Sequence, residues 1–217
     1  MKPVRPVDAA SILLLDRSGA DVRVLVGRRS SKHVFMPDVY VFPGGRRDAA
    51  DRYVAVENAL HPAASERLAV RAGPRCSETR LRALGVAALR ELYEEAGLGV
   101  GAPAAGNPLP FRPDLSRLRF LARAITPPGM VRRYDTRFFT LFADEAGIDP
   151  AGARASHELE DLRWVDIFRP DGVTMPDITV LILEELQKSL RDDPSLPFGR
   201  AVPLYHSPRG RFVRELL

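Results

Sequence analysis

Three glutamates lie close together in one short stretch, Glu91, Glu94 and Glu95, with Arg90 directly before them and Gly97 shortly after. On a helix, successive residues are about 100° apart, so the three carboxylates would fall within an arc of about 100°. Carboxylates that close repel one another and weaken a helix. A hard divalent cation reverses that cost, because Mg²⁺ and Mn²⁺ prefer carboxylate oxygens. A metal held in this way is typical of phosphate chemistry, although the same residues also fit a solvated, charged helix face.

A helix over about residues 77–96 would position this acidic cluster. Its apolar residues recur at spacings of three and four and predict a stripe that faces the core. These residues are Leu81, Leu84, Ala88, Leu89 and Leu92. Gly97 lies where a left-handed residue would end the helix, so the cluster is near the carboxyl end of the helix dipole. That end is unfavourable for carboxylates, and a bound cation would relieve the cost, which favours a functional role.

A second segment has the features of a strand that stops abruptly. Residues 39–42 read Val-Tyr-Val-Phe and predict a buried strand, which Pro43, Gly44 and Gly45 interrupt. Two glycines in succession allow the backbone to approach a ligand closely, or to direct a carbonyl at a metal. The alternative is an ordinary turn.

Together the two segments resemble the signature of the Nudix hydrolases, which is Gly, five residues, Glu, seven residues, and then Arg-Glu-apolar-x-Glu-Glu-x-Gly-apolar. Residues 90–98 match the second half at every specified position, and Gly45 would be the opening glycine. Two departures stand out. Counted back from Arg90, the position of the first glutamate holds Arg82, and about 31 residues interrupt the motif. The acidic residues within or beside the interruption are Glu57, Glu66 and Glu78.

An interrupted motif of this kind resembles one branch of the family, the coenzyme A diphosphatases with an insertion inside the motif. The similarity extends to the leader at 25–30, which includes Arg29, and to residues 132–139. The resemblance implies hydrolysis of a diphosphate bond in a nucleoside diphosphate derivative, with coenzyme A or an acyl-coenzyme A as the substrate. The alternatives are an ADP-ribose or dinucleotide pyrophosphatase, a catalytically silent nucleotide-binding regulator, and a basic structural or RNA-binding module.

The same resemblance implies roles for individual residues. Glu94 and Glu95 would be the principal metal ligands, and Glu91 would bind a metal or orient the attacking water. Gly45 would add its carbonyl oxygen as a ligand. Arg90 would hold a carboxylate in place through a salt bridge. The implied cofactor is Mg²⁺ or Mn²⁺.

Two further sets of candidate residues lie outside the motif. Glu158 precedes an apolar segment around Trp164, and in many Nudix chains a glutamate ahead of such a strand supplies a late metal ligand or base, with Glu160 as the second choice. Four arginines flank predicted strands near the site and suit phosphate, because a guanidinium donates paired hydrogen bonds. They are Arg28, Arg29, Arg132 and Arg133, and the resemblance favours Arg29 as the residue that contacts the 3′-phosphate of coenzyme A, because it occupies the matching position in the leader. Each of these residues also fits an ordinary surface charge.

The composition fits a compact soluble enzyme, and the partner that the resemblance implies is a small molecule, the nucleoside diphosphate substrate. The chain has 217 residues, 45% of them hydrophobic, and a formal net charge of +4, which allows a sizeable core. Its basic residues are dispersed and no recognition motif is evident, so nucleic-acid binding is not expected. No apolar run predicts a membrane span, no signal peptide is evident, and the lone Cys76 favours the cytoplasm. Family precedent suggests a homodimer.

The order of predicted elements indicates an α/β fold with a mixed sheet between helical layers. The resemblance implies a single Nudix α/β/α sandwich over residues 1–217, with a helical insertion at about 46–80 and a tail rich in proline and arginine at about 192–217. The remaining elements are read from periodicity and from turn residues. We predict strands at 8–15, 22–26, 117–125, 136–143 and 159–166, helices at 48–73 (interrupted near Pro62) and 179–190, and a loop at 99–114.

Overall fold

The computed structural model describes residues 4–30, 38–73 and 76–217. Within these ranges the strands are β1 (Val7–Asp16), β2 (Arg23–Arg29), β3 (Tyr40–Val41), β4 (Gly44–Arg46), β5 (Gly101–Pro103), β6 (Phe111–Pro113), β7 (Arg119–Ile125), β8 (Tyr134–Phe142), β9 (Leu159–Asp166), β10 (Pro203–His206) and β11 (Val213–Leu216). The α-helices are α1 (Pro62–Ala69), α2 (Glu78–Ala96) and α3 (Asp177–Asp192). None of the helices so described is long and apolar enough to cross a membrane.

Nine of these strands form one mixed sheet. Its order is β11-β10-β7-β8-β1-β2-β3, with β4 also paired to β1 and β9 to β2. The long strands β1 and β8 run parallel, from Val7 opposite Tyr134 to Leu15 opposite Phe142. In contrast, β1 and β2 are antiparallel. Strands β5 and β6 pair with each other outside this sheet.

Helices α2 and α3 cover opposite faces of the sheet. Successive side chains of a strand point to opposite faces, and β1 shows the consequence. Ala10, Ile12 and Leu14 belong to the core that includes α2, whereas Leu13 and Leu15 belong to the core that includes α3. The α/β/α sandwich with a mixed sheet is therefore confirmed.

Helix α2 begins and ends where the sequence predicts. The Ser77 hydroxyl accepts a hydrogen bond from the Arg80 N–H at 3.2 Å and so caps the first turn. Gly97 has a φ of 72°, the left-handed conformation that ends the helix. The apolar stripe is fully buried, as Leu84 and Leu92 show. The helix therefore holds its acidic last turns at a fixed place against the sheet.

The prediction of a helix at 48–73 is wrong for most of its length. The segment forms a 3₁₀ turn at Ala50–Tyr53, then a stretch without a regular helix or strand, and then α1. Tertiary contacts override the local helical preference, because the side chain of Val54 is buried in the core beside α2 and the Glu57 N–H donates to a carbonyl of the 99–114 segment. Pro62 begins α1, because its fixed φ suits the first turn of a helix.

Two other segments are more ordered than the sequence indicates. The loop predicted at 99–114 contains the antiparallel pair β5–β6. The tail at 192–217 contains β10 and β11, which extend the sheet beyond β7. The Arg214 guanidinium donates to Glu185 of α3 at 2.7 Å, and the Tyr205 hydroxyl donates to the same carboxylate. These strands of the tail are therefore part of the sandwich.

Candidate active site

The two glycines of the interrupted strand lie on β4, directly beside β1. Gly44 is opposite Ser11 and Gly45 is opposite Ala10 in an antiparallel pairing. The carbonyl of Pro43 accepts hydrogen bonds from the Ser11 hydroxyl and from the Ile12 N–H, both at 2.9 Å. The glycine backbone is therefore fixed to the centre of the sheet.

Both glycines lie against carboxylates of α2. The Gly44 N–H donates to Oε2 of Glu95 at 2.8 Å. A Cβ atom added to Gly45 would lie 2.5 Å from Cδ and 2.8 Å from Oε2 of Glu91, far inside ordinary contact distance. The absence of side chains at these two positions therefore makes room for Glu91 and Glu95, which are 8% and 6% exposed.

Arg90 is the hub of the hydrogen bonds around these carboxylates. Its Nη1 donates to Glu91 at 2.9 Å and to Glu94 at 2.8 Å. Its Nε donates to Asp51 at 2.9 Å, and its Nη2 donates to the carbonyl of Arg46 at 3.0 Å. The salt bridge that the sequence predicts for Arg90 is therefore present, and it reaches two of the three glutamates.

The electrostatics of the site disfavour carboxylate charge while no cation is bound. Burial raises the pKa of Glu95 to about 8; the Gly44 N–H opposes the rise, and the charges of Glu91 and Glu158 add to it. Burial also raises the pKa of Glu91 to about 7, against the opposing effect of Arg90. Two acids placed where ionisation is unfavourable are typical of a site that a cation completes.

The donor set fits a hard divalent ion in its chemistry. Glu91, Glu94, Glu95 and the carbonyl of Gly45 offer only oxygen ligands, which Mg²⁺ and Mn²⁺ prefer. As the side chains stand, no three acidic, histidine or cysteine residues within the described part of the chain are grouped to hold a metal. Arg90 engages one oxygen of Glu91 and one oxygen of Glu94, and the structure gives no hydrogen bond from Arg90 to the second oxygen of either carboxylate.

Glu158 and Arg29 are the residues outside the motif that the structure brings to these carboxylates. The charge of Glu158 acts on both Glu91 and Glu95, although its own side chain is 52% exposed. Arg29 is half-buried at the end of β2 and interacts with Glu95 and Glu158. Burial lowers the pKa of Arg29, and the two carboxylates oppose that shift. The Ser30 N–H donates to the Glu158 carbonyl at 3.2 Å and holds the two segments together.

The other three arginines have different surroundings. Arg28 donates to Asp38 at 3.0 Å and to Glu160 at 3.1 Å, so it ties β9 to the chain before β3. Arg133 donates to two backbone carbonyls, those of Thr126 and Val4, at 3.0 and 2.7 Å. Arg132, in the turn before β8, is exposed. Arg28 and Arg133 thus have structural contacts.

Sequence reasoning missed Asp51, which is 1% exposed and contacts Arg90. A usable signal was present, because Asp51 follows Gly45 by six positions, the spacing of the motif glutamate. The three glutamates considered at first lie in other surroundings. Glu57 accepts a hydrogen bond from the Ala102 N–H at 2.7 Å, Glu66 is exposed on α1, and Glu78 is in the first turn of α2. Glu78 is about 20 Å along the helix from Glu91.

The chain has the fold of solved Nudix hydrolases. A Nudix hydrolase from Alicyclobacillus acidocaldarius aligns over 88% of this chain and 93% of its own, with a TM-score of 0.63 and 23% identity. The Nudix hydrolase RenU from M. smegmatis aligns over 87% and 88%, with a TM-score of 0.51 and 16% identity. The Nudix domain of Shewanella oneidensis NrtR, solved with ADP ribose, aligns over 86% and 90%, with a TM-score of 0.52 and 13% identity. Neither a protein-family model nor a curated protein gives a significant match.

Proposed function

We propose that this protein hydrolyses a diphosphate bond in a nucleoside diphosphate derivative, with Mg²⁺ or Mn²⁺ held by the carboxylates of α2. The observation that carries the proposal is the burial of Glu91 and Glu95 against the backbone of Gly44 and Gly45. Buried carboxylates are costly unless a positive charge compensates them. The Nudix hydrolase fold supports the same activity.

The reaction brings water to a phosphorus atom that is surrounded by negative oxygens. When bound, the divalent ion would neutralise those oxygens and acidify a bound water. Glu91, Glu94 and Glu95 would hold the ion, together with the Gly45 carbonyl. The Gly44 N–H fixes one oxygen of Glu95, so this carboxylate would meet the ion without searching through rotamers. Such preorganisation lowers the reorganisation needed at the moment of reaction.

We assign the proton of the attacking water to Glu158. This carboxylate acts electrostatically on both buried glutamates and yet is about half exposed. A base in that position can pass its proton to bulk water after each turnover. The carboxylate of Glu160, the second choice, accepts a hydrogen bond from Arg28 in an ion pair, so its contact is structural.

Coenzyme A or an acyl-coenzyme A is the substrate we propose among the diphosphates. Arg29 lies beside Glu95 and Glu158, so the part of the substrate within its reach is the diphosphate itself. Arg132 is exposed two residues before Tyr134, which is close enough to Arg29 to interact with it electrostatically. We assign the 3′-phosphate, which distinguishes coenzyme A from dephospho-coenzyme A, to Arg132.

A substrate panel tests the proposal. Purified protein is incubated with coenzyme A, acyl-coenzyme A, dephospho-coenzyme A, ADP-ribose and a dinucleoside polyphosphate, with Mg²⁺, Mn²⁺ or chelator, and the products are identified by mass spectrometry. We expect metal-dependent cleavage of coenzyme A to 3′,5′-ADP and a 4′-phosphopantetheine fragment. If only ADP-ribose is cleaved, coenzyme A is not the substrate, but the proposal of metal-dependent diphosphate hydrolysis still holds. Nucleotide binding without products would instead favour a silent regulator, the function that contradicts the proposal.

A further inference from the structure

Asp51 makes contacts that reach well beyond its own 3₁₀ turn. One carboxylate oxygen accepts the Asp48 N–H at 2.7 Å, which closes the turn after β4. The other accepts Nε of Arg90 at 2.9 Å. Because Asp51 is 1% exposed and Arg90 has a side chain 12% exposed, this ion pair is shielded from water. A buried pair of this kind is specific in geometry and costly to break.

The position of Asp51 in the sequence fits its position in the fold. Five residues separate Gly45 from Asp51, and the chain then departs from the site before it returns as α2. The Arg82 guanidinium donates to the carbonyl of Arg52, so the two ends of the segment 52–82 are in contact. That segment has 31 residues, the length of the interruption in the motif. This segment, which we call the excursion, therefore begins directly after Asp51, and its first and last residues are in contact.

We propose that Asp51 is the acid of the interrupted motif and the positioning residue for Arg90, an inference that rests on the proposed function. Arg90 uses one nitrogen, Nη1, for both Glu91 and Glu94. Asp51 and the Arg46 carbonyl hold the rest of the guanidinium from the opposite side. When a cation takes the two glutamates, these two partners keep Arg90 in place. Without Asp51, the guanidinium would follow the glutamates and compete with the cation.

The test is the Asp51→Asn variant, which keeps the shape of the side chain and removes its charge. We expect its affinity for Mn²⁺, measured by titration calorimetry without substrate, to fall about 10- to 100-fold, as is usual when a partner of a metal ligand is lost. With the preferred diphosphate and Mn²⁺ at a concentration near the wild-type Kd, the rate should fall by a similar factor and should recover at saturating Mn²⁺, while KM for the diphosphate should change little, because Asp51 is buried.

Asp16→Asn is the matched control. Asp16 is 2% exposed, accepts the Ser18 N–H at 2.9 Å and pairs with Arg23, so it resembles Asp51 in burial and bonding. It lies at the far end of β1, about 16–20 Å along the strand from the residues opposite the glycines. We expect this variant to lose thermal stability while Mn²⁺ affinity and kcat remain at the wild-type level.

Asp51→Glu separates charge from shape. It retains the carboxylate and should recover at least tenfold of the Mn²⁺ affinity that Asp51→Asn loses. Wild-type Mn²⁺ affinity in Asp51→Asn would overturn the proposal, as would equal losses of affinity in the two asparagine variants. If the wild type binds Mn²⁺ but cleaves no diphosphate, the proposed function fails, and the affinity measurements still decide the role of Asp51.

Discussion

The close approach of Gly45 to Glu91 leads to a quantitative prediction for the Gly45→Ala variant. The new Cβ would lie 2.5 Å from Cδ of Glu91, whereas carbon atoms in contact are about 3.5–4.0 Å apart. The obstacle is the far end of a flexible side chain, so the carboxylate can move away by about 1 Å. Gly45 does not have a positive φ, so alanine fits the backbone and the fold should survive.

The expected loss is therefore catalytic. A misplacement of about 1 Å in a group that sets reaction geometry costs about 100-fold in rate, or about 2.7 kcal/mol of transition-state stabilisation. We expect kcat for the preferred diphosphate to fall by about that factor at saturating Mg²⁺. The melting temperature should remain within a few degrees of the wild type, because the exchange creates no cavity and removes no hydrogen bond.

Gly44→Ala is the contrasting variant. Its Cβ would lie 2.6 Å from the Ser11 Cα and 2.7 Å from the Ala10 carbonyl oxygen, which are backbone atoms that cannot rotate away. The pairing of β4 with β1 would have to open, and overpacking of this kind costs about 1–3 kcal/mol. Thermal unfolding followed by circular dichroism should show the loss in Gly44→Ala only. A Gly45→Ala enzyme with wild-type kcat, or one destabilised as much as Gly44→Ala, would refute the reasoning.

Three other outcomes are expected. Glu95→Gln should keep the fold and lower kcat at least tenfold at saturating Mg²⁺, and its metal-free form should melt at a higher temperature than the wild type above about pH 8, where the buried carboxylate of the wild type is ionised. The free energy of unfolding of the metal-free protein should fall as the pH rises from about 5 to 8. In the folded state the pKa values of Glu91 and Glu95 are raised to about 7 and 8, so over this range the folded state binds more protons than the unfolded chain. Urea titrations that show rising stability over this range would contradict the prediction. Arg29→Ala should reduce kcat/KM for coenzyme A and dephospho-coenzyme A alike, by about 10- to 150-fold for a lost charge-assisted contact of roughly 1.5–3 kcal/mol. Arg132→Ala should reduce kcat/KM for coenzyme A but not for dephospho-coenzyme A. If steady-state kinetics instead show a loss confined to coenzyme A in Arg29→Ala and a loss on both substrates in Arg132→Ala, the two arginines have each other's role.

The parts that the sequence predicts well are those whose local signals agree with their tertiary contacts. Helix α2 has a capping serine, a continuous apolar stripe and Gly97 at its end, so the capping residue, the periodicity and the terminating residue all predict the same helix. The Pro-Gly-Gly segment also lies where the motif requires it, beside the glutamates. Placement of Glu158 and Arg29 near the same carboxylates agrees with the resemblance, whereas their roles remain predictions.

The features that the sequence does not predict depend on contacts between segments that are distant in the chain. The residues 54–60 have helical composition, yet Leu60 is buried in the core that includes α2, and the chain there forms no regular helix or strand. Counting back from Arg90 leads to Arg82 and not to Asp51, because the count crosses a segment whose two ends meet only in the folded protein. The contacts of Arg28 were equally invisible, because Glu160 lies 132 positions away in the chain.

The contact between the two ends of the segment 52–82 separates the length of the chain from the geometry of the site. Once the ends meet, the entropy of closing a flexible loop grows only with the logarithm of its length, at about 0.6 kcal/mol for each doubling. Residues can therefore be gained at little energetic cost in the exposed turn after α1, whereas Val54, Leu60 and Leu68 are core residues that fix the rest of the excursion, and Asp51 and Arg90 stay 2.9 Å apart. In evolutionary terms, the excursion is a place where new surface can be tried without disturbing the carboxylates, and relatives should differ there more in length than in the residues that flank it.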